Sequence, residues 1–329
     1  MRNTCSGVLA LSFVLSACGQ SVSPSAGSPA ASPVSATTPA LGLPGQNAAS
    51  AESGYAESGY AEPGHTTPGQ NASAIKLPPT GKVSWDWQIG AATERHIKVA
   101  AGTSLIGLDG FTVSAAKVAE LKGQGLYTVC YIDAGSYEPY RPDSARYPDY
   151  LKIQQDPDWP DEAFLDITDV FRPGSVLADI LTERMKMCKA KGFDALEPDN
   201  LQNDENVSGG RITTQQQLDF NGWIADQAHG LGLAVFQKNG PDKVLLRDRT
   251  GRMMVEKFDG ILNEACQQYR ECGPLAEYTR RGKLALNVEY RRNKALDCGL
   301  MAQHGINALK KDRYLAGGTA RAYLRETCN

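Results

Sequence analysis

The chain has 329 residues, with 34 lysines and arginines against 37 aspartates and glutamates, a formal net charge of -3 and a pI near 5.9. That balance argues against a nucleic-acid binder, whose domain is usually basic, and 41% hydrophobic residues excludes a wholly disordered chain. At roughly 150 residues per domain the length allows one or two domains, with single barrels of ~250 residues the standing exception.

Residues 1–17 read as an address. Arg2 precedes an apolar run from Val8 to Leu15, too short to span a bilayer and of the length of a signal peptide's apolar region. The run closes in Leu15-Ser16-Ala17-Cys18, which resembles the bacterial lipoprotein box: small residues suit a peptidase cleft, and the thiol is a nucleophile for acylation. Cleavage before Cys18 would leave it lipidated and the mature chain exported, held to a membrane facing the periplasm or the cell surface. An ordinary secretory signal with an incidental Cys18 is the alternative.

Residues 18–76 form a linker rich in Ser, Ala, Gly and Pro. Near its end a five-residue repeat runs Ala51-Glu52-Ser53-Gly54-Tyr55, Ala56-Glu57-Ser58-Gly59-Tyr60, Ala61-Glu62-Pro63-Gly64-His65. So few large apolar residues cannot offset the entropy of ordering, and the segment reads as a flexible tether. Wall or polysaccharide binding by the spaced tyrosines is the rival reading. Arg2 is the lone charge of residues 1–18, and Glu52, Glu57 and Glu62 are the only ones of 19–75, so the remainder is close to neutral.

From residue 77 to the end, short apolar runs alternate with helical patterns. Strands are expected at Val83–Ile89, Ser104–Leu108, Leu126–Ile132, Phe193–Glu197, Leu233–Gln237, Phe258–Leu262, Leu284–Val288 and Ile306–Leu309. Helices are expected at Ser114–Lys122, Val176–Lys191 and Thr213–Leu231, with Ser114 and Thr213 or Thr214 as caps and Gly192 and Gly232 as stops. Eight strands over some 250 residues, separated mainly by helices, imply an α/β domain with a closed parallel (β/α)8 barrel of the TIM type. A doubly wound open sheet is the alternative, but no Gly-x-Gly-x-x-Gly follows the first strand.

Six cysteines lie in this domain. An even count in an exported chain suggests disulfides, although six cysteines allow fifteen pairings. Cys266 and Cys272 close a short loop and are the natural local pair; Cys130 is then paired with Cys188, and Cys298 with Cys328. Zinc competes, but the spacings are irregular and no Cys-x-x-Cys occurs.

Asp109, Asp133, Asp199, Lys238, Asn239, Glu264 and Glu289 each follow an expected strand, and in a barrel those ends converge on one mouth. A single carboxylate there is commonly a turn cap. Five together repel unless paired or used, and they suit a cationic or polyhydroxylated ligand or acid–base chemistry. Two carboxylates flanking a glycosidic bond are what sugar-polymer hydrolysis requires. Trp85, Trp87, Tyr131, Tyr137, Tyr140 and Tyr290 lie near the same ends and could stack on sugar rings, though Trp85 and Trp87 share one strand face and at least one is a candidate for barrel core.

Trp85-Asp86-Trp87-Gln88, Cys130 through Ser136 with Glu138-Pro139-Tyr140-Arg141-Pro142-Asp143, Glu197-Pro198-Asp199-Asn200, Lys238-Asn239, Asn263-Glu264 and Asn287 through Tyr290 resemble glycoside hydrolase family 114. The resemblance covers nearly all of 80–328. It implies an endo-α-1,4-polygalactosaminidase on a (β/α)8 barrel, needing no cofactor or metal, with Asp199 and Glu264 as the catalytic pair at the ends of the fourth and sixth strands. Asp199 is assigned as nucleophile and Glu264 as general acid/base. De-N-acetylated galactosamine carries ammonium groups, so Asp109, Asp133, Glu138 and Glu289 are apt partners, with Trp87, Tyr131, Asn200, Asn239 and Tyr290 completing the substrate site. Lys238 is expected to pair with a catalytic carboxylate, or to be a structural salt bridge. Glu197 is read as barrel interior. Tyr137 and Gly240 stand where many members have Trp and Asp.

The expected enzyme is therefore a monomeric, membrane-anchored glycosidase whose partner is a cationic galactosamine polymer. The rivals are a hydrolase of a neutral or N-acetylated glycan, a non-catalytic glycan-binding lipoprotein on the same barrel, and a metal-dependent deacetylase. A binding protein has no need of both Asp199 and Glu264. A deacetylase would want His ligands, and His96, His229 and His304 have no ligand spacing.

Overall fold

The computed structural model describes residues 74–328; the signal segment, Cys18 and the tyrosine-spaced repeat lie outside the described residues. Eight parallel strands succeed one another around a barrel: β1 (Trp85–Trp87), β2 (Leu105–Asp109), β3 (Tyr127–Asp133), β4 (Ala195–Asp199), β5 (Ala234–Lys238), β6 (Gly260–Glu264), β7 (Leu284–Glu289) and β8 (Asn307–Lys311). Each pairs with the next in sequence. Side chains join β8 back to β1: Lys311 Nζ donates to Asp86 Oδ1 at 2.8 Å, and Trp85 Nε1 donates to the Asn307 carbonyl at 3.0 Å. The result is a nearly closed TIM-type barrel.

The strands are apolar on both faces because both are covered. Every second residue (Trp85 and Trp87, Leu105, Val129 and Tyr131, Ala195, Phe236, Leu262, Leu286 and Val288) packs inside the barrel. The intervening residues, among them Ile106, Cys130, Ile132, Leu196, Val235 and Ile261, pack outward against Val118 and Leu121 of α1 (Ala115–Gly123), Leu177, Ile180 and Met185 of α2 (Val176–Ala190) and Ile224 and Ala228 of α3 (Thr214–Gly230). Ser114 caps α1, Ser175 caps α2, and Thr213 forms a capping box with Gln216 at α3. Gly107 on β2 is required by close approach: a Cβ there would sit 2.6 Å from Cδ1 of Trp87.

Most strands run further than apolarity suggests. The polar residue expected after β2 to β7 is in each case the strand's last member; on β2 to β6 the ladder continues while that side chain turns into the mouth. The sequence reading also assigned nothing to a three-stranded antiparallel sheet (Ser136–Tyr137, Lys152–Gln155, Ala163–Leu165) inserted between β3 and α2. Strands of two to four residues are too short to display a period. A last short strand, Arg325–Thr327, pairs antiparallel with β8. Three disulfides, Cys130–Cys188, Cys266–Cys272 and Cys298–Cys328, tie β3 to α2, close the loop after β6 and fasten the C-terminus, leaving none of these six thiols for zinc.

Candidate functional site

Alternation decides which strand ends face one another. Asp109, Asp133, Asp199, Lys238 and Glu264 each lie two residues beyond an inward position of their own strand and so point into the mouth. At its centre the ammonium of Lys238 is 3.0 Å from Asp199 Oδ1, 3.4 Å from Glu264 Oε2 and 3.4 Å from Glu197 Oε1. Burial opposes a charge on Lys238, but these three carboxylates hold its pKa above the ordinary lysine value. Glu197, two residues before Asp199 on the same face, is fully buried; Trp87 Nε1 donates to its Oε2 at 3.0 Å. Burial, opposed by Lys238, pushes the Glu197 pKa up to about 8.

Asp199 and Glu264 are the members of this group that solvent reaches, at 10% and 13% side-chain exposure. Each is held by donors on both oxygens. Asp199 Oδ2 accepts from the Tyr131 hydroxyl at 2.8 Å, and Oδ1 from the Asn200 backbone N–H at 2.8 Å. Glu264 Oε1 accepts from the Tyr290 hydroxyl, and Oε2 from Asn239 Nδ2 at 3.0 Å; Asn239 Oδ1 in turn accepts the Glu264 backbone N–H at 2.8 Å. Burial and the adjoining carboxylates raise both phenols, so they stay protonated as donors. The residues that follow Asp199, Lys238 and Glu264 all adopt positive φ: Asn200 at 58°, Asn239 at 53° and Ala265 at 59°. Asn tolerates that conformation; Ala does so at a cost.

The remaining expected residues are placed differently. Trp87 is 1% exposed, in the floor beneath Lys238 and Glu197, and offers no face for stacking; Trp85 is equally deep. Asp109 and Glu138 are not open to a ligand's ammonium, because Arg141 already holds them: Nη1 donates to Asp109 Oδ2 at 2.6 Å, Nε to Glu138 Oε2 at 2.7 Å and Nη2 to Glu138 Oε1 at 2.6 Å. Arg184 backs this pair, 3.6 Å from Glu138 and bonded to the Asp133 carbonyl at 2.8 Å. Asp133 accepts from the Gly135 and Ser136 backbone N–H groups and from Asn200 Nδ2, and burial beside Glu138 and Asp199 raises its pKa well above the carboxylate range.

Glu289 is out of phase. Leu284, Leu286 and Val288 face inward, so Glu289 faces outward with Asn287 and accepts from Asn287 Nδ2 at 2.9 Å and the Gln267 N–H at 2.8 Å. It braces the disulfide-closed loop after β6 rather than the mouth. Arg141 was missed as a site residue although it lies in the quoted Glu138–Asp143 segment. Its signal was the i, i+3 spacing from Glu138 in a run that brings a cation to an acidic rim.

Among solved structures the chain is similar to Aspergillus fumigatus Ega3 in complex with galactosamine, with a TM-score of 0.66 and 23% identity over 79% of this chain and 100% of that one. It is also similar to the glycoside hydrolase domain of PelA from Pseudomonas aeruginosa, with a TM-score of 0.55 and 16% identity over 76% of this chain and 99% of that one. At these identities the likeness establishes the fold. No curated protein matches the chain in sequence. Residues 64–329 match the family model for glycoside hydrolase family GH114. The chain therefore belongs to family GH114 and is a glycosidase.

Proposed function

We propose that the protein is an endo-acting hydrolase of α-1,4-linked, galactosamine-rich polysaccharide, with Asp199 as nucleophile and Glu264 as general acid/base. The observation that carries this is the single ammonium of Lys238 shared by Asp199 Oδ1 and Glu264 Oε2, at 3.0 and 3.4 Å. A retaining course is part of this reading and requires the two carboxyl groups to lie ~5–5.5 Å apart.

In this reading Glu264 gives its proton to the leaving oxygen while Asp199 Oδ2 or Oδ1 attacks the anomeric carbon. Tyr131 and the Asn200 N–H aim the attacking carboxylate. Lys238, 3.0 Å from Oδ1, sets a positive charge beside it. Tyr290 and Asn239 keep Glu264 in place on the other side of the bond. In the second half Glu264 takes a proton from water, whose oxygen displaces Asp199 from the sugar.

The galactosamine bound by the Aspergillus relative supports an amino-sugar substrate. The Arg141 pairing of Asp109 and Glu138 favours a second reading, because it removes two of the four carboxylates set aside for ammonium groups. In that reading the polymer is substantially N-acetylated. Reducing-end release from galactosamine polymers of graded acetylation separates the two: a rate rising with deacetylation supports the first, and a falling rate the second. No release from any of them, by folded protein, would leave a glycan-binding barrel.

The signal-like segment and Cys18 support export and lipid anchoring of a monomer. Labelled palmitate incorporated into the wild type and absent from Cys18→Ser tests the anchor.

A further inference from the structure

Three carboxylates share one ammonium in this site, and two suffice for the reaction. With Asp199 ionised and Glu264 protonated, as the first step requires, an ionised Glu197 would leave one excess negative charge at the bottom of the mouth. Glu197 is the one with no access to water, and the interior beneath it is lined by Trp85, Leu105, Val129, Phe236, Leu262 and Leu286. Its Oε1, 3.4 Å from Lys238, accepts no hydrogen bond. A buried carboxylate in that position is costly, and the least solvated member of a crowded set is the one that stays protonated.

We propose that Glu197 is a positioning residue that works as a neutral acid: protonated, it leaves Lys238 to Asp199 and Glu264, and ionised, it draws Lys238 down and away from them. This rests on the catalytic assignment above. The groups facing Glu197 from around the barrel are Trp87 of β1, its register partner Tyr131 of β3, Asp199 of β4, Lys238 of β5, Glu264 of β6 and, more distantly, Tyr290 after β7. β2 contributes Gly107, which has no side chain to compete. Lys238 is the single cation among them, and Trp87 already donates to Oε2. An ionised Glu197 would therefore satisfy Oε1 through Lys238, loosening the hold on Asp199 and Glu264. Glu197 thus sets the upper pH limit of activity without touching the sugar.

The test compares the wild type with Glu197→Gln, which keeps the Trp87 hydrogen bond and cannot ionise. In the wild type kcat falls about tenfold per pH unit above about pH 8, as a single ionisation dictates. In E197Q the ratio of kcat at about pH 9.5 to that at about pH 6.5 is at least tenfold higher than in the wild type. An identical alkaline limb in both proteins overturns the proposal. The nitrogen-15 resonance of Lys238 Nζ is followed over the same range with no substrate. It moves with a midpoint near the limb in the wild type and is still in E197Q; a wild-type resonance that does not move overturns the proposal. This second reading stands even if the assigned substrate is wrong, and its wild-type half stands if E197Q does not fold.

Discussion

Lys238 Nζ sits 3.0 Å from Oδ1 of Asp199, and the two residues end adjacent strands of the barrel. The lysine is 1% exposed and the carboxylate 10%, so solvent reaches only the Asp199 side while its charge is balanced from below. The same ammonium reaches Glu264 on the next strand, which makes Lys238 the spacer between the two carboxylates.

Replacing Lys238 by Met should therefore be destabilising and inactivating at once. Three carboxylates would lose their shared cation, and breaking a buried pair from one side costs roughly 3–5 kcal/mol. Hydrolysis should fall by about 100-fold or more, the scale of losing one preorganised electrostatic partner. Urea unfolding and reducing-end release on the same sample check both. An active Lys238→Met protein would refute the spacer role.

Arg141 is expected to be structural rather than ligand-binding. Arg141→Leu takes the ion-pair partner from buried Asp109 and leaves Glu138 only Arg184 at 3.6 Å, again a loss of about 3–5 kcal/mol. Arg141→Lys should recover only part, since one ammonium cannot reproduce the three-point contact of the guanidinium. Thermal unfolding of the two variants gives the order wild type, Lys, Leu.

Glu197 should make stability fall as pH rises. Its ordinary value is 4.5 and its folded value about 8, so between them the folded state holds a proton that the unfolded state has released. The contribution is fully present below about pH 4.5 and is lost toward pH 8, at about 1.4 kcal/mol per unit. Glu197→Gln lacks this slope. Chemical unfolding of both proteins across the interval should show the wild type losing stability relative to the variant; parallel curves would contradict the raised value.

Ala265, with φ at 59°, holds a conformation that favours glycine, immediately after Glu264. Ala265→Gly should relieve it and raise stability by about 0.5–1 kcal/mol, after glycine's larger loss of chain entropy. Activity should not rise with it, because the turn aims Glu264. A lower melting temperature would mean that the strain is absent.

The barrel was legible because its strands are doubly covered and read as apolar runs between capped helices. Asp199, Lys238 and Glu264 were legible as ends of those runs. What escaped was phase and pairing. Glu289 looks like its counterparts in sequence, but one residue of offset turns it outward beside Asn287. Asp109 and Glu138 looked available because their cation, Arg141, comes from a loop and reaches Asp109 across 32 residues of sequence. Trp87 in sequence suits stacking or barrel core equally, and Gly107 decides for the floor by opening the space in which its ring lies.

The most direct test of the account is reducing-end release from partially deacetylated poly-galactosamine by the wild type, Asp199→Asn and Glu264→Gln, with the melting temperature of each recorded. The account predicts release by the wild type and losses of about 10²–10⁴-fold or more in both variants, at little change in folding. Variants that remain folded and cleave at wild-type rates would contradict it.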